Sequence, residues 1–87
     1  MTEQEARAVM NGWSPEKRAV ANKGWLVVND EIVARASAKK PRPKVYEVHH
    51  EAQVAMVAFV EGFEKGGITL ARSMAREAIK LPEPVAG

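Results

Sequence analysis

Residues 24–37, GWLVVNDEIVARAS, decide the fold, because they can form either a β-hairpin or part of a helix. In the hairpin, Asn29 and Asp30 are the two-residue turn between two strands. In the helix, one of these two residues caps a segment that runs to Lys40. The aromatic and β-branched residues of WLVV favour a strand. We therefore predict the hairpin, and a helix over residues 31–40 is the alternative, which would make the fold nearly all α.

The N-terminal part of the chain carries clear helix signals. Thr2 is followed by Glu5, the spacing of a capping box, which predicts the start of a first helix. Ser14 followed by Pro15 predicts the start of a second helix, because serine caps helices and proline is tolerated at their first position. Gly24 should end that helix. We therefore expect two short helices ahead of the hairpin.

The C-terminal half predicts one strand and two helices. Pro41 and Pro43 exclude a helix across KKPRPK, and KVYEV, residues 44–48, predicts a short strand. Residues 50–65 carry an apolar stripe at helical spacing and further apolar residues outside it, which is typical of a central helix. Thr69 should cap the last helix. We expect both helices to pack on the hairpin.

These elements predict an α+β fold that is mostly helical, with a β-hairpin or small antiparallel sheet between two short N-terminal helices and two C-terminal helices. The chain has 87 residues, of which 46% are hydrophobic and 28% charged, as in an ordinary folded domain. We expect a single domain over residues 1–81, an extended connector over 38–44 and a flexible tail over 82–87. The predicted core residues are Trp25, Val27, Ile32, Met56, Phe59, Phe63, Leu70 and Met74.

The stretch SAKKPRPKVYEV, residues 37–48, contains the strongest charge feature of the chain. The net charge of the whole chain is +2, but residues 38–44 hold four cations and no anion. An extended cationic segment can follow a phosphate backbone, and arginine is favoured in minor grooves. The leading hypothesis is therefore a small non-enzymatic regulator that binds nucleic acid. The predicted contacts are the cations of this segment and two arginines of the last helix: Lys39, Lys40, Arg42, Lys44, Arg72 and Arg76.

The middle helix supports a second hypothesis of a different class. Apolar residues outside its core stripe lie next to acidic residues, as on surfaces that dock on a partner protein. The docking face would include Val54, Val57 and Glu61. A protein-binding inhibitor or assembly subunit of the phage or plasmid type would have such a surface, and a homodimer would also cover it.

The sequence gives little support for catalysis or metal binding. It has no cysteine, and the adjacent His49 and His50 lack the i, i+4 spacing of a helical zinc pair. It also lacks a glycine-rich phosphate loop. We therefore expect no enzymatic activity, no metal and no cofactor. The polar N-terminus and the lack of a long apolar run predict a cytoplasmic protein with no membrane partner.

Overall fold

The computed structural model describes residues 1–83, and within that range the chain forms four α-helices and no β-strand. The predicted α+β class is therefore wrong, and the fold is all-α. Of the predicted tail, residues 84–87 lie outside the described range. The helices are α1 (Glu3–Asn11), α2 (Pro15–Ala38), α3 (Val45–Gly66) and α4 (Ile68–Ala78).

Helix α2 runs without a break through the stretch for which we predicted a hairpin, so the hairpin is wrong and the helical alternative holds as far as Ala38. Val28 and Ile32, four residues apart, are completely buried on one face of the helix. Burying such a side chain stabilises the fold by about 1.5–3 kcal/mol. That outweighs the strand preference of WLVV, because the whole scale of β-propensities spans only about 1 kcal/mol. Asn29 and Asp30 consequently lie within a helix and not in a turn.

Gly24 was predicted to end the second helix, but it lies inside α2 because its missing side chain makes room for a neighbour. A Cβ atom at this position would overlap the side chain of Ile68 from α4 and would lie 3.3 Å from Phe59 of α3. Glycine in a helix costs about 1 kcal/mol relative to alanine. The close approach of three helices at this point offsets that cost.

The predicted N-terminal caps are confirmed. The Thr2 hydroxyl accepts a hydrogen bond of 3.1 Å from the backbone N–H of Glu5, and the Glu5 carboxylate accepts one of 3.0 Å from the N–H of Thr2. Both bonds lower the pKa of Glu5, and the bond from the Thr2 backbone contributes more than the bond to the Thr2 side chain. Ser14 accepts from the N–H of Lys17 at 3.1 Å, and Pro15 is the first residue of α2. These helix starts can be predicted from the sequence because their hydrogen bonds join residues only three positions apart.

Helix α3 begins at Val45, so the strand predicted for residues 44–48 is wrong and the helix starts earlier than predicted. The connector with its two prolines ends at Lys44, whose backbone N–H donates to the Glu47 carboxylate at 3.0 Å. This carboxylate satisfies a donor that the helix itself leaves without a partner. The short apolar run is thus the first turn of a long helix.

Helix α3 is central, and the other three helices pack on it. Helix α2 is antiparallel to α3: Lys17 near its start pairs with Glu64 at 3.1 Å, and Arg35 near its end pairs with Glu51 at 2.7 Å. None of the helices within residues 1–83 is both long and apolar enough to cross a membrane.

Helix α4 packs on α3 through small residues. Ala71 and Ala75 are fully buried, and a Cβ atom at Gly62 would lie 2.9 Å from the Cα of Ala71. The chain reverses between the two helices at Gly67, whose φ of 88° lies in the left-handed region that glycine adopts without strain. The predicted cap at Thr69 is therefore wrong, because α4 has already begun one residue earlier.

The predicted core is correct in part. Ile32 and Phe59 are buried, whereas Val27 and Leu70 are 41% and 38% exposed. The two errors have different causes: Val27 lies on the outer face of a helix and not in a strand, whereas α4 is helical as predicted but turns its alanines inward. The other predicted core residues are partly buried: Trp25, Met56, Phe63 and Met74.

Candidate nucleic-acid interface

The basic connector, residues 39–44, joins α2 to α3 and brings four cations together at one end of the helix bundle. Lys39, Lys40, Arg42 and Lys44 are all exposed. None of them forms an ion pair with another residue of the described range. The positive charge of the connector is therefore directed to solvent and is not neutralised within residues 1–83.

Two side chains at the start of α3 extend this surface, and neither was among the predicted contacts. Val45 is 74% exposed and Tyr46 is 66% exposed. The Lys44 ammonium lies 6.0 Å from the centroid of the Tyr46 ring. An exposed aromatic ring beside cations is a feature of surfaces that contact sugars and bases. The position of Tyr46, two residues after the last cation, is the sequence signal that could have identified it.

A shallow groove runs beside the basic connector. Arg42 lines one part of it, and Val33 and Ser37 of α2 line another together with Val45 and His49 of α3. The groove therefore combines a guanidinium, an imidazole and a hydroxyl with apolar walls. These polar groups can all donate hydrogen bonds to phosphate oxygens.

Glu47 is the anion nearest to the basic connector in the sequence. Its carboxylate accepts the backbone N–H of Lys44, so it is held at the N-terminus of α3. It reduces the local charge of four cations by one. The surface remains strongly positive, because this one carboxylate offsets only one of the four cations.

Arg76, one of the predicted contacts on α4, is buried in an ion pair. Its residue surface is only 6% exposed. Its Nε and Nη2 atoms donate to the two carboxylate oxygens of Glu31 at 2.8 and 2.9 Å. This bidentate bond raises the pKa of the Arg76 guanidinium, against the effect of desolvation. The charge of Arg76 thus serves to join α4 to α2, and Arg72 on the same helix is partly buried.

The alternative docking face on α3 is partly covered by the start of α1. Val54 is 40% exposed, but Val57 is partly buried, and Met1 lies against the same hollow. Glu61 faces the N-terminal amine at 3.9 Å and Lys65 at 3.6 Å. Of the three predicted residues, only Val54 therefore offers an open apolar side chain.

The other polar clusters of the described range do not form a metal site: no three His, Asp or Glu side chains lie close enough together to hold an ion. The basic connector is thus the strongest concentration of unpaired charge among residues 1–83. No protein-family model, no curated protein and no solved structure matches this chain significantly.

Proposed function

We propose that this chain is a small non-enzymatic regulator that binds double-stranded DNA through the basic connector. The observation that carries the proposal is that Lys39, Lys40, Arg42 and Lys44 are exposed and unpaired within the described residues. Such cations gain affinity by displacing the counterions condensed on DNA. Arg76 is left out of the contact set because Glu31 already holds it.

The connector has the right shape for backbone contacts as well as the right charge. It is not helical, and it projects between the ends of two long helices that fix its position. A short cationic loop on a rigid support can approach phosphates without a large loss of conformational entropy. Tyr46, on the first turn of α3, can then pack against a sugar or a base edge.

The test is a measurement of DNA binding by fluorescence anisotropy at two salt concentrations. A labelled duplex of random sequence is titrated at about 50 and 200 mM salt, the range in which phosphate contacts are most evident. We expect wild-type binding to weaken steeply with salt. In the double variant Lys40→Gln/Arg42→Gln, the slope of log affinity against log salt should decrease by about 2, because two phosphate contacts are lost.

The matched control removes the same amount of charge from another part of the surface. Arg7→Gln/Lys65→Gln lowers the formal net charge from +2 to zero, as the connector variant does. Both control residues lie in exposed ion pairs on α1 and α3. If the control flattens the salt dependence as much as the connector variant, net charge is responsible and the connector is not the contact. A wild-type protein that does not bind the duplex at low salt contradicts the proposal.

Docking of α3 on a partner protein is the second candidate function, and the 40% exposure of Val54 favours it. This hypothesis predicts that Val54→Asp removes capture of the partner while the helical fold is retained. It also predicts that Lys40→Gln/Arg42→Gln leaves capture intact. The two variants therefore separate the two functions, because each one alters only one of the surfaces.

A further inference from the structure

Helix α2 has a second apolar face that is exposed to solvent. Its inner face buries Ala21, Gly24, Val28 and Ile32. Four large apolar side chains lie elsewhere on the same helix and are between 41% and 54% exposed: Val20, Leu26, Val27 and Val33. A surface helix that folds alone usually places polar residues there.

The outer face of α2, which we define as Val20, Lys23, Leu26, Val27, Asp30 and Val33, is continuous. At about 100° per residue, these six side chains fall within an arc of about 140° on the side of the helix opposite to the inner face. Lys23 and Asp30 are the only charged members, and both are exposed. Neither forms an ion pair with a residue of the described range.

The outer face is complementary to itself when two copies lie antiparallel. With the midpoint between Leu26 and Val27, each residue lies level with the one equally far on the other side of the midpoint. Lys23 then lies opposite Asp30 of the other copy, so that cation meets anion twice. The apolar residues lie on both sides of these charge pairs, so that Leu26 and Val27 pack near the midpoint and Val20 and Val33 pack toward the two edges of the contact.

The charges also select this arrangement over the other ways of pairing two α2 helices. A parallel pair would bring Lys23 against Lys23 and Asp30 against Asp30. A shift of the antiparallel pair by seven residues in either direction would place two Lys23 or two Asp30 side chains against each other. Like charges in direct contact oppose association. Of these arrangements, the antiparallel pair with its midpoint between Leu26 and Val27 combines apolar burial with opposite charges.

We propose that the outer face of α2 binds the same face of a second copy of this chain, giving an antiparallel dimer. The two-fold axis passes between the midpoints of the two α2 helices and is perpendicular to both. Closed two-fold symmetry is the commonest arrangement of self-complementary surfaces. The contact consists of one helix from each chain, so the interface lies at the small end of the range for stable complexes.

The dimer also determines where the two basic connectors lie, and this part of the inference rests on the proposed function. Lys39 follows the end of α2, about 12.5 positions from the midpoint between Leu26 and Val27. At 1.5 Å per residue, the two connectors are about 37 Å apart along the helix pair. The two-fold axis places both connectors on the same side of the dimer. Dimeric DNA-binding proteins contact half-sites about 34–36 Å apart, one turn of the double helix.

Sedimentation equilibrium with charge-reversed variants tests the dimer. Over roughly 1–200 µM protein, the range suited to a small interface, the wild-type mass should rise toward twice the chain mass of 9.5 kDa. Lys23→Glu and Asp30→Lys should each weaken association by about tenfold or more, because each places like charges together twice. The double variant Lys23→Glu/Asp30→Lys restores opposite charges and should associate as the wild type does.

Three results would overturn the dimer: a wild-type mass that stays at 9.5 kDa, single reversals without effect, or a double variant as weak as the singles. Circular dichroism of every variant checks that the fold is retained, which the exposure of Lys23 and Asp30 leads us to expect. The double variant is the decisive one, because loss of folding in a single variant cannot be repaired by a second charge reversal at the surface.

A neutral pair of variants tests the spacing of the connectors separately. Leu26→Gln/Val27→Gln removes the apolar centre of the outer face without changing charge, and Val54→Gln/Leu70→Gln is the control at similarly exposed positions on α3 and α4. On a duplex of roughly 20 base pairs, the salt slope of the first variant should be about half that of the wild type and of the control. If the first variant has the same salt slope as the wild type, the two connectors do not bind one duplex together, but the proposed dimer is not contradicted. Absence of wild-type DNA binding overturns the proposed function and also leaves the dimer standing.

Discussion

Helices α2 and α4 both pack on α3, but they differ in what they leave on the outside. Helix α4 turns Ala71 and Ala75 inward and exposes one large apolar residue, Leu70. Helix α2 buries a comparable stripe and exposes four large apolar residues on its other sides. The apolar surface of α4 is thus largely used within the chain, whereas that of α2 is not.

The difference between the two helices separates the region that stabilises the fold from the region that is available for association. The contact between α4 and α3 depends on small residues, so its strength comes from close backbone approach and it tolerates no added volume. The apolar side chains of the outer face of α2 are instead largely exposed to solvent. Substitutions in the first region should therefore unfold the chain, and substitutions in the second should alter only its partners. Variants of the two regions test this contrast.

The largest effect is expected from Gly62→Val in α3. A Cβ atom at this position would lie 2.9 Å from both the Cα of Ala71 and the carbonyl oxygen of Leu70, and backbone atoms cannot move aside locally. Forcing the two helices apart should cost about 3 kcal/mol. Urea denaturation, monitored by circular dichroism, measures the loss in the free energy of unfolding.

Gly12→Val is the matched control for the Gly62 substitution. Gly12 is exposed, and a Cβ atom there would meet the backbone oxygens of Val9 and Ala8 at ordinary distances of 3.5 and 4.0 Å. The control should change stability by less than about 1 kcal/mol. If the two variants are equally stable, α3 and α4 are not in close backbone contact and the contrast with α2 has no basis.

A smaller loss of stability is expected from Arg76→Ala, which breaks the ion pair between α4 and α2. The Arg76 side chain is only 8% exposed, while that of Glu31 is 29% exposed. Removing one member of a fully buried pair costs about 3–5 kcal/mol, and the partial exposure of Glu31 lowers our expectation to about 2 kcal/mol. The urea midpoint should decrease accordingly.

The exposed pair of α1 provides the control for Arg76. Arg7 contacts Glu3 at 2.9 Å, but its side chain is 60% exposed. Arg7→Ala should therefore cost less than about 1 kcal/mol. An Arg76→Ala variant as stable as Arg7→Ala would show that the bidentate bond to Glu31 contributes nothing beyond a surface ion pair, and Arg76 would return to the list of DNA contacts.

The comparison of α2 with the N-terminal caps explains what the sequence could predict. The capping box at Thr2 and the Ser14–Pro15 start involve residues within three positions of each other, so the pattern and the hydrogen bonds coincide. The helical state of residues 24–37 depends on Ile68 and Phe59, which lie far away in the sequence. Local propensity could not reveal contacts with those residues, and it therefore favoured the wrong element.

The same distinction applies to the candidate site. The basic connector was identified from the sequence because its cations and prolines are contiguous. Arg76 was assigned to the wrong surface, because its partner Glu31 lies 45 positions away. The outer face of α2 becomes apparent only after the helix is known, since the prediction placed Val20 in a short helix and Leu26 and Val33 in a hairpin. Charge density was therefore predictable, and the pairing of charges was not.

The smallest loss of stability is expected from Glu64→Gln. This substitution alters a contact near the start of α2, at the end of the helix opposite to the basic connector. The Glu64 carboxylate accepts a hydrogen bond from the indole N–H of Trp13 and pairs with Lys17 at 3.1 Å. The hydrogen bond from Trp13 lowers the pKa of Glu64 below its ordinary value, and the hydrogen bond from Lys17 lowers it further by a smaller amount. A carboxylate with a lowered pKa in the folded state stabilises the protein above the unfolded pKa, and this contribution is lost as the pH falls through the folded pKa. The wild type should therefore exceed Glu64→Gln in stability near neutral pH, by at most about 1 kcal/mol given the solvent exposure of the site.

The difference between the two proteins should shrink in acid, because both then carry an uncharged side chain at position 64. Urea denaturation at neutral and at acidic pH measures this difference. Glu77→Gln is the control, since Glu77 is exposed on α4 and forms no ion pair with the described residues. A difference between wild type and Glu64→Gln that persists unchanged in acid would mean that the glutamate acts through its shape and not through its charge. In that case Trp13, and not the ion pair with Lys17, holds the start of α2 against α3.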